Sequence, residues 1–165
     1  MNETEARARF LKASQQFQYT VIQLRPQVLF NREPGPLGHL GNLLESFAPQ
    51  SRFDVAGPRP RLTLKQADDG LVACHDVLYA LANKTTVTIE LLKYADAMDA
   101  STAELTRVIA EELRNSARAY APFTAAFKAA AKTLKEAKKK IEDLTNNLNL
   151  AADVIGAFSK LVAVL

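Results

Sequence analysis

With 165 residues, 48% of them hydrophobic and 24% charged, the chain can bury one sizeable core and not two, so a single domain over residues 1–165 is expected. The aromatic share is 7%, Trp is absent, and the 6 Gly and 7 Pro fall mostly outside the periodic stretches, which argues against a strand-rich fold and for an all-α one. A formal charge of +3 carries no nucleic-acid argument by itself, and a single cysteine, Cys74, excludes an intramolecular disulfide.

The N-terminus places Glu3 and Glu5 where an export signal needs basic residues, and no apolar core follows, so a cytoplasmic location is expected. Residues 4–24 put Phe10, Ala13, Phe17, Val21 and Leu24 on one face, the spacing of a first amphipathic helix. Pro26 disfavours helical geometry at Arg25, which predicts an end or a kink there. Residues 31–63 then hold five of the seven prolines and four of the six glycines. This irregular Pro/Gly-rich insertion has room for one short helix over residues 36–47, where Leu37, Leu40, Leu44 and Phe47 step by three and four. Its extended end carries Arg52, Arg59 and Arg61, whose guanidinium groups suit carboxylates or phosphates; we expect them to pin the loop to acids on the helices.

Periodicity returns at Leu64 and runs through Ala67, Leu71, Cys74, Leu78 and Leu81 to Leu92 and Ala95, predicting one helix to about Met98 or two broken near Asn83. Cys74 lies on this stripe, where a buried, reduced thiol is expected. Next to it, His75 and Asp76 have the chemistry of a metal-binding pair. A site needs three or four ligands, however, and the other histidine, His39, lies in the insertion, so His75 is expected at the boundary of the core. Ser101-Thr102-Ala103-Glu104 fits a capping box and predicts a new helix starting there, in an antiparallel hairpin with its predecessor. Leu105, Val108, Ile109 and Leu113 should face inward, followed by Tyr120, and Pro122 either kinks this helix or opens the next.

The most regular stretch comes last. From Phe123 through Phe127, Ala130, Leu134, Ala137, Ile141, Leu144, Leu148, Ala151, Ile155, Phe158 and Val162 to Leu165, apolar residues alternate spacings of four and three over about six heptads. Asn146, Asn147 and Asn149 are its weak point, but the phase survives them, which predicts one long coiled-coil-like helix. At 1.5 Å per residue it would be about 65 Å long, too long for a compact domain, so the expected fold is an elongated antiparallel helical bundle. Ile141, Leu144, Leu148, Ile155, Phe158 and Val162 are then the candidate seam for a second copy or another partner, a homodimer being expected. Opposite the seam, Lys128, Lys132, Lys135 and Lys139 form one row, a candidate surface for an acidic partner.

No phosphate-cradling glycine loop, nucleophile elbow, dinucleotide fingerprint, zinc spacing or di-iron pattern occurs, so neither enzyme activity nor a cofactor is expected. By exclusion, the chain reads as a non-catalytic interaction protein (adaptor, inhibitor, immunity-type or chaperone-like) that binds an unidentified protein partner. Two alternatives have a sequence feature behind them. The nearly all-round apolar segment 150–165 would suit a membrane-active protein that releases it into lipid, and the lysine row would suit nucleic acid. The first is the less favoured of membrane and protein partners; the second is disfavoured because no arginine or aromatic residue interleaves the lysines and Glu142 and Asp143 follow them.

Overall fold

The computed structural model describes residues 1–32, 61–144 and 148–165, with only the backbone over residues 26–32. Residues 33–60 of the insertion, with the short helix expected there, Arg52 and Arg59, lie outside the described residues. Within them the chain is all-α, with five helices: α1 Glu3–Arg32, α2 Leu64–Lys84, α3 Thr88–Glu112, α4 Ala125–Leu144 and α5 Ala152–Ala163.

Asn2 and Glu5 start α1 by exchanging bonds, the Asn2 Oδ1 accepting from the Glu5 amide at 2.9 Å and the Glu5 carboxylate from the Asn2 amide at 3.0 Å. Ala6, Phe10, Ala13 and Phe17 are its buried face, with Val21 and Leu24 packed against the core beyond them. Rather than ending at Arg25, α1 continues past Pro26 to Arg32. The turn before the proline is fastened to α2, where Arg25 pairs with Asp69 at 2.8 Å and with the buried Asp68 at 3.4 Å.

α2 opens with a capping box the sequence reading did not single out: the Thr63 hydroxyl accepts from the Gln66 amide and the Gln66 side chain from the Thr63 amide. It ends at Lys84, close to the predicted break, and residues 85–87 turn the chain into α3. Arg7 of α1 closes that turn by donating to the carbonyl oxygens of Ala82 at 3.1 Å and Thr85 at 2.8 Å, groups that a helix C-terminus leaves without partners. α1 therefore lies antiparallel to α2, and most of its packing is on α3.

The predicted helix start at Ser101 is not there. α3 passes through Ser101 without interruption, and the Ser101 hydroxyl donates back to the Ala97 carbonyl at 2.8 Å, as a mid-helix serine does. Glu104 is fully buried and turned to a different helix. Its carboxylate accepts from the Tyr120 hydroxyl at 2.7 Å, from the amides of Phe123 at 2.8 Å and Thr124 at 2.9 Å, and from the Thr124 hydroxyl at 3.0 Å. It thus satisfies donors at the start of α4, where the helix dipole also favours an anion. Leu105, Val108, Ile109 and Tyr120 are buried as expected, whereas Leu113, just past the end of α3, is exposed. An isolated antiparallel bridge, Thr63 with Ala119, ties the entry to α2 to the segment before α4.

The long C-terminal helix is two helices. α4 stops at Leu144, α5 starts at Ala152, and Asn149 between them has φ 51°, the left-handed region that Asn tolerates better than most residues. α4 packs on α3, and α5 turns back to pack chiefly on α2. There Ala157 and Leu161 cross directly over Gly70. Ile141, Phe158 and Val162 are buried in this chain's own core, as is Leu148 beside the turn, while Leu144 and Ile155 are partly buried against it. The length argument for an elongated particle, and the seam's need for a second copy, both lapse with the break.

At its far end α4 is held by Lys140, which bonds the Glu90 carboxylate and, at 3.1 Å, the Tyr94 hydroxyl of α3. That ammonium, and after it the Thr85 hydroxyl, hold the Glu90 carboxyl below its ordinary pKa. A carboxylate whose pKa is lower folded than unfolded stabilises the fold above the unfolded value, about 4.3, and loses that contribution as pH falls through the folded one. Urea unfolding of wild type and Glu90→Gln is expected to differ by up to about 1 kcal/mol at neutral pH, since water around both partners limits the pair, and to converge as pH falls through the folded-state pKa. A difference that persisted in acid would assign it to packing instead of charge.

Candidate functional site

His75 and Asp76 belong to a polar cluster between α1 and α2. The His75 Nε2 lies 2.8 Å from the Ser14 hydroxyl and 3.2 Å from the Gln18 amide nitrogen, and its Nδ1 lies 3.0 Å from the Asp76 carboxylate. A carboxylate only accepts, so Nδ1 carries the proton and Nε2 receives the bonds of Ser14 and Gln18, a consistent set for the neutral ring. The ring itself is stacked on Phe17 at 5.2 Å and on Tyr79 at 5.9 Å.

Ser, His and Asp in this order have the connectivity of a nucleophilic triad, yet they lack its other requirements. Ser14 is 1% exposed, in the interior of α1. Its neighbouring amides belong to the helix ladder, so no pair of N–H groups is directed at a substrate oxygen. The cluster is a clamp joining two helices, and His75 is the boundary histidine expected from its place on the stripe. Cys74 is fully buried, and burial pushes its thiol pKa up, the opposite of what a nucleophile needs.

The acids that a cleft would need stand apart. Asp96 and Asp99 pair with Arg9, and Glu111 with Arg107, Arg114 and Arg118. No group of three or more His, Cys, Asp or Glu that could hold a metal occurs among the described residues. A shallow groove between α3 and α4 is floored by Ala97, Ala100, Ala126 and Ala130 and edged by Lys93, Asp96 and Asp99, with no convergent polar groups that would orient a small molecule.

Among the described residues, two exposed helix faces stand out. Lys128, Lys132, Lys135 and Lys139 are all exposed on the side of α4 away from the buried Phe127, Leu134 and Ile141, in a row about 16 Å long. Among the described residues Lys140 is the one lysine of this helix held in an ion pair, so the row is not internally neutralised. Arg61 is exposed, away from the row in sequence and with no acid shown on it. The second face, on α1, is apolar and nearly uncharged: Leu11, Tyr19 and Ile22 are 39%, 57% and 66% exposed. The sequence reading passed over it because α1's inward stripe was the stronger signal.

No family model, curated protein or solved structure matches the chain.

Proposed function

We propose that the protein is a non-catalytic helical interaction protein that binds an acidic protein partner through the lysine face of α4. The observation that carries this is the row itself. Lys128 with Lys132 and Lys135 with Lys139 stand four residues apart and Lys132 with Lys135 three, like-charge pairs that each cost the helix a few tenths of a kcal/mol. Ala-rich sequence on either side offsets that cost without neutralising the charge. A partner helix with acids at the same spacing would do both.

Two further features support a protein over the alternatives. The apolar residues that lipid insertion would need, Phe158, Leu161 and Val162, are buried against α2, and no helix among the described residues is long and apolar enough to cross a membrane. Glu136, Glu142 and Asp143, exposed on the same helix, confine the positive charge to a short row, which acids at helical spacing can match and a continuous phosphate chain cannot follow. A poly-glutamate peptide and a short DNA duplex are suitable probes. We expect salt-sensitive binding of poly-glutamate that Lys128→Glu, Lys132→Glu and Lys135→Glu together abolish, with the helical circular dichroism unchanged because all three side chains are in water. Unchanged binding in the triple variant would remove α4 as the site. Submicromolar DNA binding at physiological salt would replace the protein partner with nucleic acid.

A further inference from the structure

Three arginines meet on one carboxylate where α3 ends. The Glu111 Oε1 lies 3.8 Å from the Arg107 guanidinium and 3.9 Å from that of Arg114, and its Oε2 accepts from Arg118 at 3.2 Å. Glu111 is the covered member, its side chain 12% exposed, whereas those of Arg107, Arg114 and Arg118 are 60%, 81% and 57% exposed. The carboxylate compensates one of the three guanidinium charges and leaves two. Each guanidinium has five N–H donors, and only Arg118 places one within hydrogen-bond distance of Glu111, so most of these donors face water. Capping of α3 does not account for the cluster. The Leu113 amide already bonds the Ile109 carbonyl at 3.1 Å, and the amides of Arg114 and Asn115 bond that of Glu111 at 3.0 and 3.1 Å.

The frame that carries the arginines is fixed in advance. Arg107 lies over the Phe123 ring, 5.7 Å from its centroid. Asn115 closes the turn, its carbonyl accepting from the Arg118 amide and its Oδ1 from the Ala117 amide, both at 3.2 Å. The entry to α2 then holds that turn, with the Leu64 amide on the Arg118 carbonyl at 2.9 Å and the Lys65 amide on the Ser116 carbonyl at 3.3 Å. We infer that this cluster binds a phosphate monoester carried on a protein side chain. Phosphoserine brings a charge of about −1.5 to −2 and three acceptor oxygens, which match the two charges that Glu111 leaves over. A carboxylate would supply one charge and leave the cluster cationic. Guanidinium forks also bond phosphate oxygens in pairs, a geometry that three of them around one point can share. A lipid headgroup offers similar chemistry, but Leu113 is the one large apolar side chain exposed on this turn, too little to hold the chain on a bilayer. Lys128, Lys132, Lys135 and Lys139 take no part, so the two sites stand or fall separately.

Calorimetric titration of the intact chain tests this with a capped glycine peptide bearing one central phosphoserine, its glutamate and serine counterparts, and phosphatidylcholine vesicles with and without phosphatidic acid. The phosphoserine peptide should bind at least tenfold tighter than the glutamate peptide, and the serine peptide should give no heat of binding. Arg114→Gln together with Arg118→Gln should weaken the phosphoserine peptide at least tenfold with unchanged thermal melting, because both side chains are in water. The variant carrying Lys128→Glu, Lys132→Glu and Lys135→Glu should bind it as wild type does. No binding of the phosphoserine peptide, equal binding of the glutamate one, or binding that the arginine pair leaves intact overturns the site. Loss of binding in the lysine variant would place the phosphate on α4, and binding of phosphatidic acid vesicles without the peptide would replace the protein ligand with a lipid; either result overturns it as well.

Discussion

Glu104→Ala is expected to lower the unfolding free energy by about 3–5 kcal/mol, because the deletion strands a group of donors at once. Glu104 is fully buried, and the Tyr120 hydroxyl, two backbone amides and the Thr124 hydroxyl all end on its two oxygens. Without the carboxylate the entry to α4 loses its anchor on α3. Burial, and after it the Glu104 bond, push the Tyr120 pKa far up, so the phenol stays a donor and does not compete for the negative charge. Tyr120→Phe removes one donor and leaves the carboxylate three, so it should cost only about 1–2 kcal/mol. Measured as a cycle by urea unfolding, the two changes should be clearly non-additive. A loss below about 1 kcal/mol for Glu104→Ala would mean that water enters and satisfies these groups.

The same residue shows why part of the fold was not legible in advance. Ser101 and Glu104 have the spacing of a capping box, and a local window cannot tell a helix start from a helix interior that happens to contain Ser-x-x-Glu. What decides is long-range: Glu104 finds its partners 16 to 20 residues away, and once it has them it is unavailable to the Ser101 amide. Pro122 neither kinks α3, which ends at Glu112, nor sits in the first turn of α4, which starts at Ala125; Thr124, accepting from the Phe127 amide at 3.1 Å, is the cap. The His75 clamp was half visible. Its place at the edge of an apolar stripe could be read, whereas Ser14 and Gln18, on another helix, could not.

The apolar phase from Phe123 to Leu165 misled for a geometric reason. The apolar spacing stays in step across the seven residues between Leu144 and Ala152, although a non-helical connection transmits no helical phase and each helix sets its own inward face. Periodicity therefore cannot distinguish one helix crossing the gap from two helices facing the same core. The three asparagines were the better evidence, and Asn149 at φ 51° is where it shows. The placement of the four lysines on one exposed face, by contrast, was legible, because the angle between two faces of one helix is fixed by sequence spacing alone.

How firmly α5 depends on α2 sets the last expectation. A helix of 12 residues is marginal in water by itself, so its order comes from packing. Phe158→Ala, at a fully buried side chain, should cost about 3–5 kcal/mol and speed hydrogen exchange throughout α5 before the rest of the bundle opens. The crossing point gives a sharper pair of tests, because two glycines in helices should respond with opposite sign. At Gly70 an added Cβ would lie 2.8 Å from the Leu161 Cβ and 3.2 Å from the Ala157 carbonyl oxygen. Both atoms are fixed to the main chain of α5, so no rotamer change relieves the contact and the helix must move as a body. Gly70→Ala is therefore expected to destabilise by about 1–2 kcal/mol, overpacking outweighing the gain of roughly 1 kcal/mol in helix propensity. At Gly156 an added Cβ meets nothing within 4 Å, so Gly156→Ala keeps the propensity gain and should stabilise by up to about 1 kcal/mol. If Gly70→Ala stabilised as well, α5 would have to sit farther from α2 than this close crossing places it.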